Sequence, residues 1–225
     1  MKTTHQIPLD LTHVPSFSRE DFIVSGSNSA AITLLDNWQS WPGHTAALVG
    51  PTASGKTHIA NIWAEETGAI RFNAGTRISE LAESCSIVLD DIDDMLSTKT
   101  LSEENLFHLF NWSREKNGIM LITARTAPNN WPVKLPDLKS RLATVHIGTI
   151  GEPDDNLLLM LLVKLFSDRQ LTVKHEVMTY ITAHMERSFS AAYDLVNALD
   201  HVSLTTKRNI TKPLVKSCLN GFANG

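Results

Sequence analysis

Cysteine is scarce in this chain. Cys85 and Cys218 are the only two among 225 residues, and their separation gives no paired ligand spacing. They fit neither a disulfide framework nor a zinc site, and read as reduced thiols of a cytoplasmic protein. The nine histidines contain no HExxH or comparable cluster, so no metalloenzyme motif is present. Long apolar runs are missing too. The longest, "LLLMLLVKLF" at 157–166, is interrupted by Lys164 and is too short to cross a bilayer. The opening "MKTTHQIPLDLTHVP" has no apolar h-region, so no secretory signal is expected. Basic excess is absent as well: 20 Lys and Arg stand against 24 Asp and Glu, for a net charge of −4. That balance does not suit broad nucleic-acid or anionic-membrane binding, and leaves open only a local basic face. Internal repeats and low-complexity segments are also lacking.

What is present is enough chain to bury a sizeable core, with room for a small second unit. Residues 1–15 are polar and punctuated by proline, and read as a flexible arm. Residues 16–150 alternate strand and helix patterns. "AITLLDNWQSW" is a helix ended by Pro42-Gly43. "TAALVG", "AIRFNA", "SIVLDD", "IMLITA" and "TVHIGTI" are strands. Helices fall at 57–67, closed by Gly68, and after Ser102, closed by Gly118. The strand cores are continuously apolar rather than alternating, as in parallel sheets covered on both faces. Residues 151–225 carry four amphipathic helical patterns and read as a small all-α lid. The expected fold is therefore an α/β P-loop sheet flanked by helices, followed by a helical lid.

"GPTASGKT" fits G-x-x-x-x-G-K-[ST] at every fixed position: Gly50, Pro51, Thr52, Ala53, Ser54, Gly55, Lys56 and Thr57. The chemistry asks for these residue types. Glycines let successive N–H groups turn inward onto phosphate oxygens, and the following helix offers its positive end. Lys56 reaches the β- and γ-phosphates, and the Thr57 hydroxyl ligates Mg²⁺. A strand precedes the motif and a helix follows it, as it requires. The acidic partner comes from "IVLDDID", where Asp90 would hold Mg²⁺ and Asp91 would orient the attacking water. Against that stands a solvated acidic loop, since Asp93 and Asp94 follow.

Together, "GKTH", "IVLDDID" and "ENLFHLFNWSREKNGIMLIT" resemble the ATPase domain of the bacterial replication initiator DnaA, a branch of the AAA+ family. "FSREDFIVSGSNSAA" resembles that family's segment at the adenine pocket. The resemblance places Phe22, Ile23, Val24 and Asn28 beside bound ATP or ADP, with His58 packed in the first helical turn. "LPDLKSRL" resembles the box that carries the family's arginine finger, here Arg141, which acts on a nucleotide held by a neighbouring subunit. No segment corresponds to the initiator's helix-turn-helix domain, so little direct sequence-specific DNA binding is expected. "HQIPLDL" resembles the Q-x-x-L-x-L sliding-clamp peptide, with Gln6, Ile7, Leu9 and Leu11 as its contacts. An extended peptide stiffened by Pro8 can seat apolar side chains in a groove while Gln6 bonds at the rim. Arm, ATPase and lid resemble the Hda regulators, and "RSFSAAYDLVNALD" is most similar to their alphaproteobacterial form, HdaA. Such proteins bind the DNA-loaded clamp and promote hydrolysis of DnaA-bound ATP, which prevents re-initiation. Homo-oligomers, common among AAA+ domains, are open to the chain; a membrane partner is not expected.

Two departures bear on the chain's own hydrolysis. "LITARTAP" has Ala124, beside Thr123, where the resemblance calls for a polar or acidic sensor. Ser190 stands at the lid position of a second sensor, an arginine, with Arg187 three residues earlier as the candidate replacement. Weak intrinsic hydrolysis follows, with nucleotide setting the angle between core and lid. Three other readings compete: a small-molecule kinase, a helicase loader, and an adaptor that stimulates nothing.

Overall fold

The computed structural model describes residue 19 and residues 22–73, 75–206 and 209–223. The arm, with Gln6, Ile7, Leu9 and Leu11, lies outside the described residues. The described residues form five strands: β1 (Thr45–Val49), β2 (Ile70–Arg71), β3 (Ser86–Leu89), β4 (Ile119–Ala124) and β5 (His146–Thr149). They form one sheet in the order β2-β3-β4-β1-β5, with every neighbouring pair parallel.

The continuous apolar runs are resolved by burial into a period of two. Ala46, Leu48, Val88 and Leu121 enter one layer, built on α1 (Ser29–Asp36) and α2 (Lys56–Thr67). Ala47, Val49, Ile87, Leu89, Met120, Ile122 and Ala124 enter the other. That second layer is built on α3 (Ile92–Ser97), α4 (Glu103–Glu115) and α5 (Pro136–Leu142). A third core belongs to the lid helices α6 (Asp155–Asp168), α7 (His175–His184), α8 (Phe189–Thr206) and α9 (Lys212–Ala223). The Asp154 carboxylate caps α6 by accepting from the Leu157 N–H at 2.7 Å. Leu157 and Phe189 join the α1–α2 layer rather than the lid's own core, and so tie lid to sheet. Among the described residues no helix is long and apolar enough to cross a membrane.

Several elements differ from expectation. The first helix stops at Asp36, and two short 3₁₀ turns, Trp38–Ser40 and Pro42–His44, carry the chain into β1. This break turns Trp41 onto Trp63 of α2, with ring centroids 5.4 Å apart and nearly parallel, and sets Trp38 edge-on to Trp63 at 6.5 Å. "AIRFNA" pairs only over the exposed, two-residue β2 at the sheet's edge. The acidic stretch after β3 is not a loop. Ile92 and Met95, one helical turn apart, are buried and wind it into α3.

Helix α4 begins as the sequence predicts, with the Ser102 hydroxyl accepting from the Asn105 N–H at 3.2 Å. Its end is different. Lys116 is the C-cap and Asn117 takes the left-handed turn at φ 52°, so Gly118 does not close the helix. Gly118 is needed for space: a Cβ there would lie 2.2 Å from the Trp112 ring. Trp112 is buried, so a Cβ on Gly118 would have to push the ring from its packed position. Gly118→Ala is therefore expected to destabilise the fold by about 1–3 kcal/mol. A thermal unfolding midpoint that does not fall would show that the ring can move.

Candidate nucleotide site

The P-loop leaves β1 at Val49, between β4 and β5 in the sheet. Its first glycine is pinned from both sides. The Gly50 N–H donates to the Ala124 carbonyl at 3.2 Å, and a Cβ on Gly50 would lie 2.8 Å from the Ile150 carbonyl oxygen. Ala53 and Gly55 both take positive φ, 62° and 90°. Such a turn rotates successive N–H groups toward one hollow, and the strain at Ala53 costs about 1 kcal/mol or more. Pro51 and the exposed Thr52 shape the outer turn. The Ser54 Oγ is buried without a hydrogen-bond partner.

Lys56, only 9% exposed, donates to the Gly50 and Pro51 carbonyls at 2.8 and 2.7 Å. Burial holds its ammonium below the ordinary lysine pKa, against the opposing pull of Asp91, Asp90 and Asp93. Thr57 faces outward, and its hydroxyl donates to Asp90 Oδ1 at 3.1 Å. The Thr123 hydroxyl, on the neighbouring strand, donates to the same oxygen at 2.6 Å and accepts from the Asp91 N–H at 2.8 Å. Thr123 is 1% exposed, and both contacts go to the acidic pair. It holds that pair in place rather than facing a phosphate. Ala124 is fully buried beside it.

A cation would fit between Thr57 and Asp90. Among the described residues no three His, Cys, Asp or Glu side chains gather to hold a metal alone. Two oxygen ligands, completed by phosphate oxygens and water, is the arrangement that suits Mg²⁺.

Beside the loop lies a cavity of about 80 Å³. Phe22, Ile23, Asn28, Ala53, Ser54, Gly55 and His58 line it, all anticipated from sequence. The Phe22 and His58 rings stand 5.6 Å apart. Asn28 is 2% exposed and uses its amide to brace this wall: Nδ2 donates to the Ile23 carbonyl at 2.8 Å, and Oδ1 accepts from the Ser25 N–H at 2.9 Å. Val24 departs from expectation. Its side chain is 58% exposed and borders a separate hollow with Ile32 and Leu35.

The lid supplies the rest of the cavity: Leu157, Leu161 and Lys164 from α6, Phe189 and Tyr193 from α8. Sequence reasoning missed these residues. Their i, i+4, i+7 spacing is that of any buried helical stripe. Arg187, the candidate lid sensor, does not line the cavity. Its guanidinium pairs with Asp155 at 3.1 Å, both side chains 68% exposed. Ser190 bonds Ser188 instead.

Arg141 sits elsewhere. It shares a hollow of about 250 Å³ with Pro42, Gly43, Thr45, Arg114 and Val145. These residues lead into β1 and β5, whereas the P-loop and Asp90 follow the strands' ends. Arg141 and the P-loop thus lie at opposite strand ends of the sheet, separated by β1, about 15 Å long. Its helix is anchored at both ends. Glu103 Oε2 accepts from the Lys134 and Leu135 N–H groups, each at 2.9 Å, and Pro136 sits in the first turn of α5. Half-buried Arg141 donates to Asn111 Oδ1 of α4 at 3.3 Å.

Comparison with known proteins adds the following. Residues 155–219 match the family model of the Hda lid domain. An uncharacterized protein of Haemophilus influenzae is 24% identical over 228 residues, covering 96% of this chain and 98% of its own. The Wolinella succinogenes chromosomal replication initiator protein DnaA is 22% identical over 91% of this chain. Only 52% of that DnaA is spanned, so the chain covers about half the length of the initiators it matches. Among solved structures, domain III of Thermotoga maritima DnaA superposes with a TM-score of 0.76 at 15% identity, over 92% of this chain and 97% of that one. AMPPCP-bound DnaA from Aquifex aeolicus superposes with a TM-score of 0.65 at 18% identity, over 84% and 66%. The chain is thus similar to an Hda lid over residues 155–219 and to DnaA over most of its length, on a fold shared with DnaA domain III.

Proposed function

We propose that this chain is a regulator of replication initiation. It binds adenine nucleotide between P-loop and lid, docks on the DNA-loaded sliding clamp through residues 6–11, and stimulates hydrolysis of ATP held by DnaA. The placement of Arg141 carries the reading. An arginine anchored at the edge opposite its own P-loop cannot serve the nucleotide of its own chain, but it can meet one held by a neighbour. There it would neutralise charge developing on the transferred phosphoryl group. The Hda lid match and the superposition on AMPPCP-bound DnaA support the nucleotide and the DnaA-directed role. On its own nucleotide, Lys56 and the loop N–H groups would hold the phosphates, Phe22 and His58 would flank the base, and Asn28 would brace the wall. Mg²⁺ bound through Thr57 and Asp90 would screen the phosphate charge.

The kinase reading loses ground on the lid arginines. Arg169 is engaged by Asp200, Asn197 and the Leu165 carbonyl, and Arg187 by Asp155. Neither lines the nucleotide cavity. A helicase loader has no use for a clamp peptide, so the arm separates that reading.

The test is ATP turnover by purified DnaA with DNA-loaded clamp, with and without this chain. Stimulation is expected only when all components are present. The double variant Gln6→Ala, Leu9→Ala should lose clamp binding and stimulation together while binding nucleotide normally. Clamp capture undiminished by that variant would remove the arm from the proposal. Absence of stimulation by a wild type that binds both clamp and nucleotide would leave an adaptor.

A further inference from the structure

Of the two acidic residues after β3, only Asp90 is hydrogen-bonded to a P-loop side chain, although both pull on the Lys56 ammonium. Asp90 is bonded to Thr57 and Thr123. Asp91 has a second charged neighbour. Its backbone is left-handed, at φ 51° and ψ 61°, and its N–H is bonded to Thr123. With the backbone fixed at both points, the carboxylate leaves in a restricted direction. There it meets Arg125, whose Nε lies 3.8 Å from Asp91 Oδ1.

Arg125 is itself held at the root. It is the first residue after β4, and its N–H donates to Asp93 Oδ2 at 2.5 Å. The Thr126 hydroxyl donates to Asp93 Oδ1 at 3.1 Å. Asp93 Oδ2 also lies 4.0 Å from the Arg125 guanidinium. The residue preceding Arg125 is the one that accepts from the first P-loop N–H. Arg125 therefore starts beside the P-loop, with its guanidinium near Asp91 and Asp93 and no contact to the loop itself, and its charge is among those that depress the Lys56 ammonium's pKa, after burial.

We infer that Arg125 is a positioning residue that restrains Asp91 and thereby slows hydrolysis of the chain's own ATP. The inference rests on the nucleotide-binding reading. In hydrolysis a water oxygen bonds to the γ-phosphorus, and the bond from that phosphorus to the β–γ bridging oxygen breaks. ADP and inorganic phosphate leave, and the water's proton passes to solvent. Asp91 can assist only by accepting a hydrogen bond from that water. A guanidinium 3.8 Å away, beyond hydrogen-bond reach, attracts the carboxylate as a charge and opposes its turn toward that water. Both side chains are about half exposed, 50% and 55%, so the restraint is modest.

The experiment uses the full chain. Steady-state ATP hydrolysis is measured for wild type, Arg125→Ala, and Arg125→Ala combined with Asp91→Asn. Affinities for ADP and for a non-hydrolysable ATP analogue are measured in parallel. Arg125→Ala should raise kcat about 2- to 5-fold, the scale of a released exposed ion pair. Both affinities should stay within about twofold of wild type, since the restraint acts on Asp91 and not on phosphate. Adding Asp91→Asn should cancel the gain. An unchanged or lowered kcat, a gain that survives Asp91→Asn, or a selective loss of analogue affinity would each overturn the restraint. A wild type that binds no nucleotide overturns the binding reading and this inference together. A wild type that binds normally beside an unresponsive Arg125→Ala overturns the restraint alone.

Discussion

Arg141→Ala should remove about 10³-fold of any stimulation of DnaA-bound ATP hydrolysis, the scale at which a trans-acting arginine contributes to phosphoryl transfer. It should leave clamp and nucleotide binding untouched. The separation follows from the fold. Arg141 lies at the edge where strands enter the sheet, with Pro42, Gly43 and Thr45. The P-loop and the Thr57–Asp90 pair lie at the edge where strands leave. The variant also keeps its helix, because Leu138 and Leu142 bury α5 and Glu103 anchors the preceding loop. Loss of function would therefore report on the guanidinium and not on folding. Arg141→Lys should recover little, since an ammonium cannot reproduce the planar fork. Single-turnover hydrolysis on preloaded DnaA checks the result, and stimulation unaffected by Arg141→Ala would return this residue to an ordinary tether of α5 to α4.

Lys56→Ala is the second large effect. Nucleotide affinity should fall about 100-fold or more, equivalent to about 2.7 kcal/mol, through loss of the charge-assisted bonds to phosphate. Two further consequences separate this from a general weakening. The Gly50 and Pro51 carbonyls lose the donor that crosses between them, so the empty loop should itself loosen. The rise in unfolding temperature that ADP confers on wild type should vanish at the same ligand concentration. Calorimetric titration and thermal melts give both numbers. Affinity within a few-fold of wild type would mean that the loop N–H groups alone hold the phosphates.

Much of the fold is legible in the sequence because its signals are local. The P-loop residues are fixed by spacing, and the apolar strand runs announce a sheet covered on both faces. Helix α4 is announced by Ser102. What was not legible depends on distant segments meeting. Asp91 and Arg125 are 34 positions apart in the chain, and only the pairing of β3 beside β4 brings them together. Leu157, Lys164 and Tyr193 carry no mark that distinguishes a nucleotide wall from a lid core. Arg187 illustrates the reverse: it has the right chemistry, but it pairs with Asp155 on the surface and does not line the cavity. By position Gly118 reads as a helix terminator, because glycine often is one. Its actual constraint is the Trp112 ring, which no local rule reveals. Helix α3 escaped notice because six residues with one buried i, i+3 pair give too little period to register.

The opposed placement of finger and P-loop gives the molecule a polarity. A contact that inserts one chain's Arg141 toward another chain's nucleotide is heterologous: the two surfaces involved are different patches. Joined head to tail, one chain gives its arginine at each joint and the other receives it; a twofold pair would instead have to run antiparallel, each chain offering both ends to the other. Bound in that sense to DnaA, this protein would act as a one-way terminus, giving its arginine forward while its own P-loop faces the opposite end of the assembly.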